Sequence, residues 1–248
     1  GSISIDKPLT IIGVSDDVII EGLNKDTVVQ ITSSNVVLKN LTIQKSGKRL
    51  ENLDAAIKVS KANNIEINNC IIKDSLFGID LAMVNDSKII NNFITSKNLS
   101  IRLRGDALRL FYSHNNLIEN NQIYNSRDIK FSYSHKNIFS KNHIENSRFA
   151  LHLHKTNDMI VDNNNLRLNS VGMIIGASQN CEIKNNSIQS GKGSAGIGVL
   201  VKGVHNFQFH HNIVSFNSKA FYIDAKHNET VIKRFIKNNE ISYNKEAF

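Results

Sequence analysis

The chain has 248 residues, 40% of them hydrophobic, with 30 Lys and Arg against 22 Asp and Glu and a net charge of +8. No apolar run approaches the ~18 residues of a membrane span. Lys and Arg are scattered, and no row of aromatics could stack bases, which sets aside a transmembrane segment and a nucleic-acid partner. A basic surface of this kind suits an anionic glycan, a membrane surface or an acidic protein.

In chain order, the opening Gly1-Ser2 looks like a remnant of expression, so a removed signal peptide is expected. The apolar segment Pro8 to Val14 is the candidate for an N-terminal cap over about residues 1–30. From about residue 35 to 241 one phrase recurs, an Asn followed two positions later by Ile, Leu or Val: Asn92, Asn121, Asn142, Asn164, Asn186, Asn212 and Asn239. Three of the six steps are 21 or 22 residues, and three are longer, 29 into Asn121, 26 into Asn212 and 27 into Asn239. Extra residues are expected near Ser96 to Arg104 and near Gly191 to Ser194, as loops on one side of a repeat array. Only the last twenty residues carry any hint of helical spacing.

Placing the repeats in register gives columns. One reads Leu38, Ile67, Ile89, Ile118, Phe139, Val161, Ile183, Phe209 and Ile236. A second, five residues on, reads Ile43, Ile72, Ile94, Ile123, Ile144, Leu166, Ile188, Val214 and Ile241. Elsewhere apolar and polar residues alternate, as in half-buried strands. Period-2 strands, coils of about 22 residues and one turn Asn per coil indicate an all-β, right-handed parallel β-helix forming a single domain over residues 1–248. Asn suits the turn because it tolerates left-handed backbone, and its amide can donate to one coil and accept from another. Ser113, Ser134, Thr156 and Ser178 form a second, hydroxyl ladder. Cys70 and Cys181 lie about five coils apart, at ~4.8 Å per coil, beyond disulfide reach, so both are read as free.

The strand before the hydroxyl ladder offers three columns expected to face outward. The first is Ala107, Asp128, Ala150, Gly172, Gly198; the second Arg109, Lys130, His152, Ile174, Leu200; the third Phe111, Ser132, His154, Gly176, Lys202. Arg109, Asp128, Lys130, His152 and His154 should therefore form one patch. Three readings compete for it: a solvated salt-bridged surface, a docking or metal-handling surface, and the centre of a polyuronate lyase or epimerase. His152 and His154, two apart on one strand, share a face and could offer two imidazoles to a metal. The acids nearby are Asp106 and Asp128, and no opposed carboxylate pair of the hydrolase kind is evident. His210 and His211 are adjacent and expected to point to opposite faces. Gly191-Lys192-Gly193 is not a phosphate loop, because no helix follows a strand there. No catalytic constellation emerges.

The central coils have an ordered series of pieces. Gly105-Asp106-Ala107-Leu108-Arg109-Leu110-Phe111-Tyr112-Ser113 is followed by Arg127-Asp128 and Tyr133-Ser134. Arg148 with Leu151-His152 comes next, then Val171-Gly172, Gly196-Ile197-Gly198 with Lys202, and Tyr222-Ile223-Asp224. This series, over about residues 105–225, resembles the NosD family of periplasmic maturation proteins of nitrous oxide reductase. The resemblance implies a non-catalytic periplasmic accessory protein for copper-centre assembly, handling copper transiently. It implies as partners nitrous oxide reductase, an ABC-transporter ATPase and permease, and a copper-chaperone lipoprotein. This chain has His154-Lys155-Thr156 and Gly176-Ala177-Ser178 where the family tends to place Met-Tyr-Ser, leaving His154 as a substitute ligand or the surface as a protein-binding one. The alternatives are a carbohydrate-active lyase or epimerase and a glycan-binding solenoid.

Overall fold

Each coil begins with a short β-branched segment, turns, and repeats that pattern twice more. Three short strands per coil can bury one apolar face each only by stacking coil on coil. The computed structural model describes residues 1–15, 17–193, 195–224 and 236–248, and among these residues it forms three parallel sheets of ten strands each. The first sheet runs from Ile3–Ile5 to Lys219–Asp224, the second from Leu9–Ile12 to Ile236–Lys237, and the third from Ile19–Glu21 to Glu240–Ser242. Every coil visits the three sheets in turn, so each strand pairs with the strand three places before it and three after.

Both sequence-derived apolar columns are rungs of this ladder. Ile89 pairs with Ile118, which pairs with Phe139, in the second sheet. Ile94, Ile123 and Ile144 follow one another in the third. Leu108, Ile129, Leu151 and Met173 belong to the first sheet and are fully buried. These side chains make one continuous core along the axis.

Residues 1–30, expected as a cap, are themselves coiled and supply the first rung of all three sheets. Leu9, Ile12 and Val14 stay exposed there. Within the last twenty residues, which carry a hint of helical spacing, the described ones, 236–248, hold strands at Ile236–Lys237 and Glu240–Ser242. The extra residues of the step into Asn239 fall largely on 225–235, outside the described residues. The other long segments, residues 45–54, 97–107 and 190–193 with 195–196, all lie at the corner where the chain passes from the third sheet to the first. Leu53 and Leu99 from two of these loops pack on Ala55, Leu76 and Phe77, so the loops rise together beside the outer face of the first sheet.

The Asn ladder is present, with one change of role. The ladder residues do not adopt the left-handed conformation; the residue before each of them does, Asn91 (φ 58°), Asn120 (55°), Lys141 (54°), Asn163 (55°) and Asn185 (55°). That preceding residue makes the bend, which turns the ladder Asn inward, where Asn92, Asn121, Asn142 and Asn164 are all but fully buried. Each then works as a bridge. Asn142 Oδ1 accepts from the backbone N–H of Asn121 (2.9 Å) and from its side-chain amide (3.0 Å), while its own Nδ2 donates to the Ile118 carbonyl (3.0 Å) and to Asn164 Oδ1 (3.1 Å). The hydroxyl ladder is present too, with Ser134 Oγ accepting from Ser113 N–H and Ser178 Oγ from Thr156 N–H. Two further amide pairs, Asn116 to Asn137 and Asn217 to Asn244, fasten the other corners. Cys70 and Cys181 are free and buried.

Ile123→Ala should cost about 2–5 kcal/mol in urea melts, a deletion from a packed interior; a cost below about 0.5 kcal/mol would place Ile123 outside the core column. Asn142→Ala strands two donors and a carbonyl in the interior, each costing about 1–3 kcal/mol when unsatisfied. A loss of about 3 kcal/mol or more is expected, and a near-neutral result would contradict the ladder's role.

Candidate functional site

The outer face of the first sheet carries the expected middle column in register: Arg109 pairs with Lys130, Lys130 with His152, and His152 with Ile174. The third column is also in register, Phe111 with Ser132 and Ser132 with His154. The expected first column does not face outward. Ala107, Asp128 and Ala150 are buried, and Gly172 has no room for a Cβ, which would meet Ile188 Cγ2 at 2.4 Å. This is where the chain enters the strand, and small residues let it pass close to the next coil. Asp128 is the exception, and there the register shifts by a bulge so that it opposes Phe149 rather than Ala150.

A carboxylate in such a place must be paired. Asp128 is held by Arg148, through Nε at 2.9 Å and a second, shorter bond from Nη2. Arg127 reaches Asp106 Oδ1 at 3.2 Å and stands 3.7 Å from Asp128. Two buried acids and two arginines thus interleave across neighbouring coils. Burial, with the Asp128 charge adding to it and Arg127 opposing, pushes the Asp106 carboxyl up to about 6.

Arg109 is not a free cation. Its Nη1 donates at 2.6 Å to Asp80, one coil earlier in the same column, and its guanidinium lies over the Phe111 ring at 5.3 Å. Asp80 is 1% exposed, and its second oxygen, Oδ2, has no hydrogen-bond partner. An Arg clamped in this way is a poor base for proton abstraction from a sugar.

His152 and His154 stand on alternate positions of Phe149–His154, their ring centroids 6.3 Å apart. Burial first, then the Lys130 charge, pulls His152 down to about 4. Burial, then Lys155 and Lys130, lowers His154. Both imidazoles are therefore neutral at pH 7 and keep a lone pair for a metal. Among the described residues no group of three or more His, Cys, Asp or Glu gathers to complete a metal site. The two cysteines do not help, being buried; burial drives Cys181 up to about 11.

Aromatic rings border the patch. Tyr112 and Tyr133 stack at 5.0 Å, Phe111 meets Tyr112 edge-on at 4.6 Å, and Tyr133 meets His154 edge-on at 5.9 Å. Tyr112 is 45% exposed, and Lys155 sits over the Tyr133 ring. His114 and His135, also stacked, have a different use: each Nδ1 accepts a backbone N–H from the next coil, which spends that nitrogen on the fold.

Column logic could have found Asp80, one period before Arg109. Arg127 and Arg148 lie at the turn before the strand, where alternation gives no direction. The Tyr112–Tyr133 stack was visible as a 21-residue spacing, but its residues adopt left-handed backbone (φ 49° and 52°), which alternation does not foresee.

Among known proteins, the family model described as periplasmic copper-binding protein (NosD) matches residues 90–248. No curated protein sequence matches the chain. Solved structures share its shape. The Dettilon tailspike protein aligns with a TM-score of 0.64 at 12% identity, over 97% of this chain and 60% of its own. A GH136 lacto-N-biosidase from Eubacterium ramulus gives 0.65 at 13%, over 100% and 60%. A double mutant of the periplasmic alginate epimerase AlgG gives 0.61 at 12%, over 89% and 62%. At these identities the likeness is one of fold, and the chain spans 60% of the length of the first two.

The opposed shifts of His152 and Asp106 predict a specific pH response. Between about pH 4 and 6.5 the unfolded chain binds a proton at His152 that the folded chain does not, so this group's contribution to stability falls as the pH is lowered. Between about pH 3.9 and 6 the folded chain keeps a proton on Asp106 that the unfolded chain has lost, so this contribution rises as the pH is lowered. In urea melts from pH 7 to 4.5, His152→Gln should lose less stability than the parent and Asp106→Asn more; three parallel profiles would refute both assignments.

Proposed function

The chain belongs to the NosD family of periplasmic copper-binding proteins, and from that premise we propose that it is a non-catalytic accessory factor in assembling the copper centre of nitrous oxide reductase. The observation that carries the reading is that the family match spans every coil of the patch, Arg109 to His154. Among the described residues no helix is long and apolar enough to cross a membrane. The proposed partners are the reductase, the ABC-transporter ATPase and permease, and a copper-chaperone lipoprotein. Copper is cargo here. His152 and His154 offer two neutral nitrogens, and the remaining donors come from the delivering or receiving protein. The bordering Tyr112, Tyr133 and Phe111 supply rigid amphipathic area of the kind that anchors interfaces, and Lys130 and Lys155 supply positive charge for an acidic partner.

A second reading, a polyuronate lyase or epimerase, draws on one observation, the raised Asp106 carboxyl beside Arg127, because strongly shifted acids gather at catalytic centres. Burial of both acids in ion pairs with arginine weighs against it.

Copper titration of the parent and of His152→Ala/His154→Ala, together with capture of the apo-reductase, tests the first reading. The expected outcome is weaker copper uptake and weaker capture by the double variant. Equal uptake with no reductase captured by either protein would sink it. New ultraviolet absorbance on incubation with a polyuronate, lost in Arg109→Ala, would establish the lyase instead.

A further inference from the structure

A second pair of histidines lies away from this patch, at the corner between the second and third sheets. Consecutive residues of a strand point to opposite faces, so His210 and His211 should diverge. They converge, because His211 takes the left-handed conformation (φ 55°) that Asn185 and Asn238 take at the same place in the adjoining coils. The two rings cross at 87° with centroids 5.0 Å apart, and their Nδ1 atoms face each other at 2.8 Å.

We propose that His210 and His211 form a cis-chelating site for a square-planar divalent cation, with copper(II) as its natural occupant. The bite distance carries the assignment. At a metal–nitrogen distance of about 2.0 Å, nitrogens 2.8 Å apart subtend about 90° at the ion. That is the cis angle of square-planar copper(II) or nickel(II); tetrahedral zinc would need the nitrogens further apart, and linear copper(I) further still.

The surroundings prepare one nitrogen of the pair. His210 Nε2 lies 3.2 Å from Glu182 Oε1. A carboxylate at the remote nitrogen holds the proton there and leaves Nδ1 as the ligand atom, the usual outer-shell arrangement of a metal-bound imidazole. Lys184 holds the other oxygen of Glu182 at 3.0 Å and so fixes the carboxylate. With the His210 proton held on Nε2 in this way, the metal-free contact is one in which His211 Nδ1–H donates to His210 Nδ1. On binding, the His211 proton leaves Nδ1 and one is taken up on Nε2, so no proton is lost overall. The pair opens into a cavity of about 350 Å³ lined also by Gln208, Lys237 and Asn238, which leaves room for two further ligands. Lys237, next to His210 in register, favours an anionic one.

The choice of copper over nickel rests on the proposed copper-handling role; the chelate itself rests on geometry. The test is titration of copper(II) sulfate into the full chain, followed by electron paramagnetic resonance, with His211→Asn and His152→Ala/His154→Ala as separate variants. Asn is what the coils on either side carry at position 211, so His211→Asn should keep the fold, checked by an unchanged melt. The parent is expected to show hyperfine splitting from two nitrogens at the first equivalent. His211→Asn should lose that signature and bind at least tenfold more weakly, while the His152/His154 variant retains it. Glu182→Gln should weaken binding by about tenfold. An unaltered spectrum and affinity in His211→Asn would overturn the site, and a parent that binds zinc in preference to copper would overturn its square-planar character. Failure of the sheet-face pair to matter for copper uptake or partner capture would leave these outcomes untouched.

Discussion

The structure depends on the side-chain amide of the buried Asn that closes each coil. Within the strands, backbone groups pair coil to coil without help. At a corner the flanking residues still pair backbone to backbone, as Asn120 N–H does with the Ser140 carbonyl, but the N–H groups of the ladder residues lose their backbone partners, a costly position so close to an apolar core. The Asn amide restores them, accepting from the coil before and donating to the coil after, with its own neighbours in the ladder as partners. It can do so only if successive coils are aligned at that residue. The hydrogen-bond requirement at the corner thereby sets the register of the whole solenoid, and the apolar columns fall into line behind it.

Register then decides which chemistry meets which. Residues one coil apart become neighbours, so Asp80 finds Arg109 across 29 residues of sequence and Asp128 finds Arg148 across 20. Side chains on this scaffold have little freedom to rearrange, because both neighbours in the column are fixed by the same ladder. The first-sheet face therefore mixes saturated groups, such as Arg109 in its ion pair, with groups that keep unused capacity, the neutral His152 and His154.

The period, the sheet-forming segments and the apolar columns were legible in the sequence because they obey strict alternation and a constant step. What escaped reading lies where alternation fails. The left-handed residue before each ladder Asn resets the direction of the chain, which is why the ladder Asn faces inward and why His211 turns toward His210. Asp128 enters the interior with the rest of its column, and the extra residue of the bulge beside it belongs to the next coil's strand, Phe149–His154. The entry column of the first sheet reads as outward by simple counting, yet it is buried, because there the chain is still turning. Each of these sits at or beside a corner, where spacing ceases to carry directional information, whereas Asp80 lies within a strand and was within reach of the column spacing.

These corners also bear on how the proposed role could work. A site meant to pass a metal onward should not satisfy the ion by itself, since a full ligand set slows release. In the proposed role both histidine pairs have the character of half-sites: two nitrogens held at a set separation by a rigid scaffold, with the other positions open to water or to a partner's donors. They differ in what the backbone does. His152 and His154 lie on a regular strand, with centroids 6.3 Å apart, and need an arriving protein to bring them into one coordination sphere. His210 and His211 are brought together by a single left-handed residue, at a separation already suited to one ion. An ion at the corner pair would sit between nitrogens already at chelating distance once their mutual hydrogen bond opens, whereas the strand pair would engage metal only while a partner covers the face. A solenoid supplies both kinds of site from the same repeat, according to whether the histidine stands on a strand or at a turn.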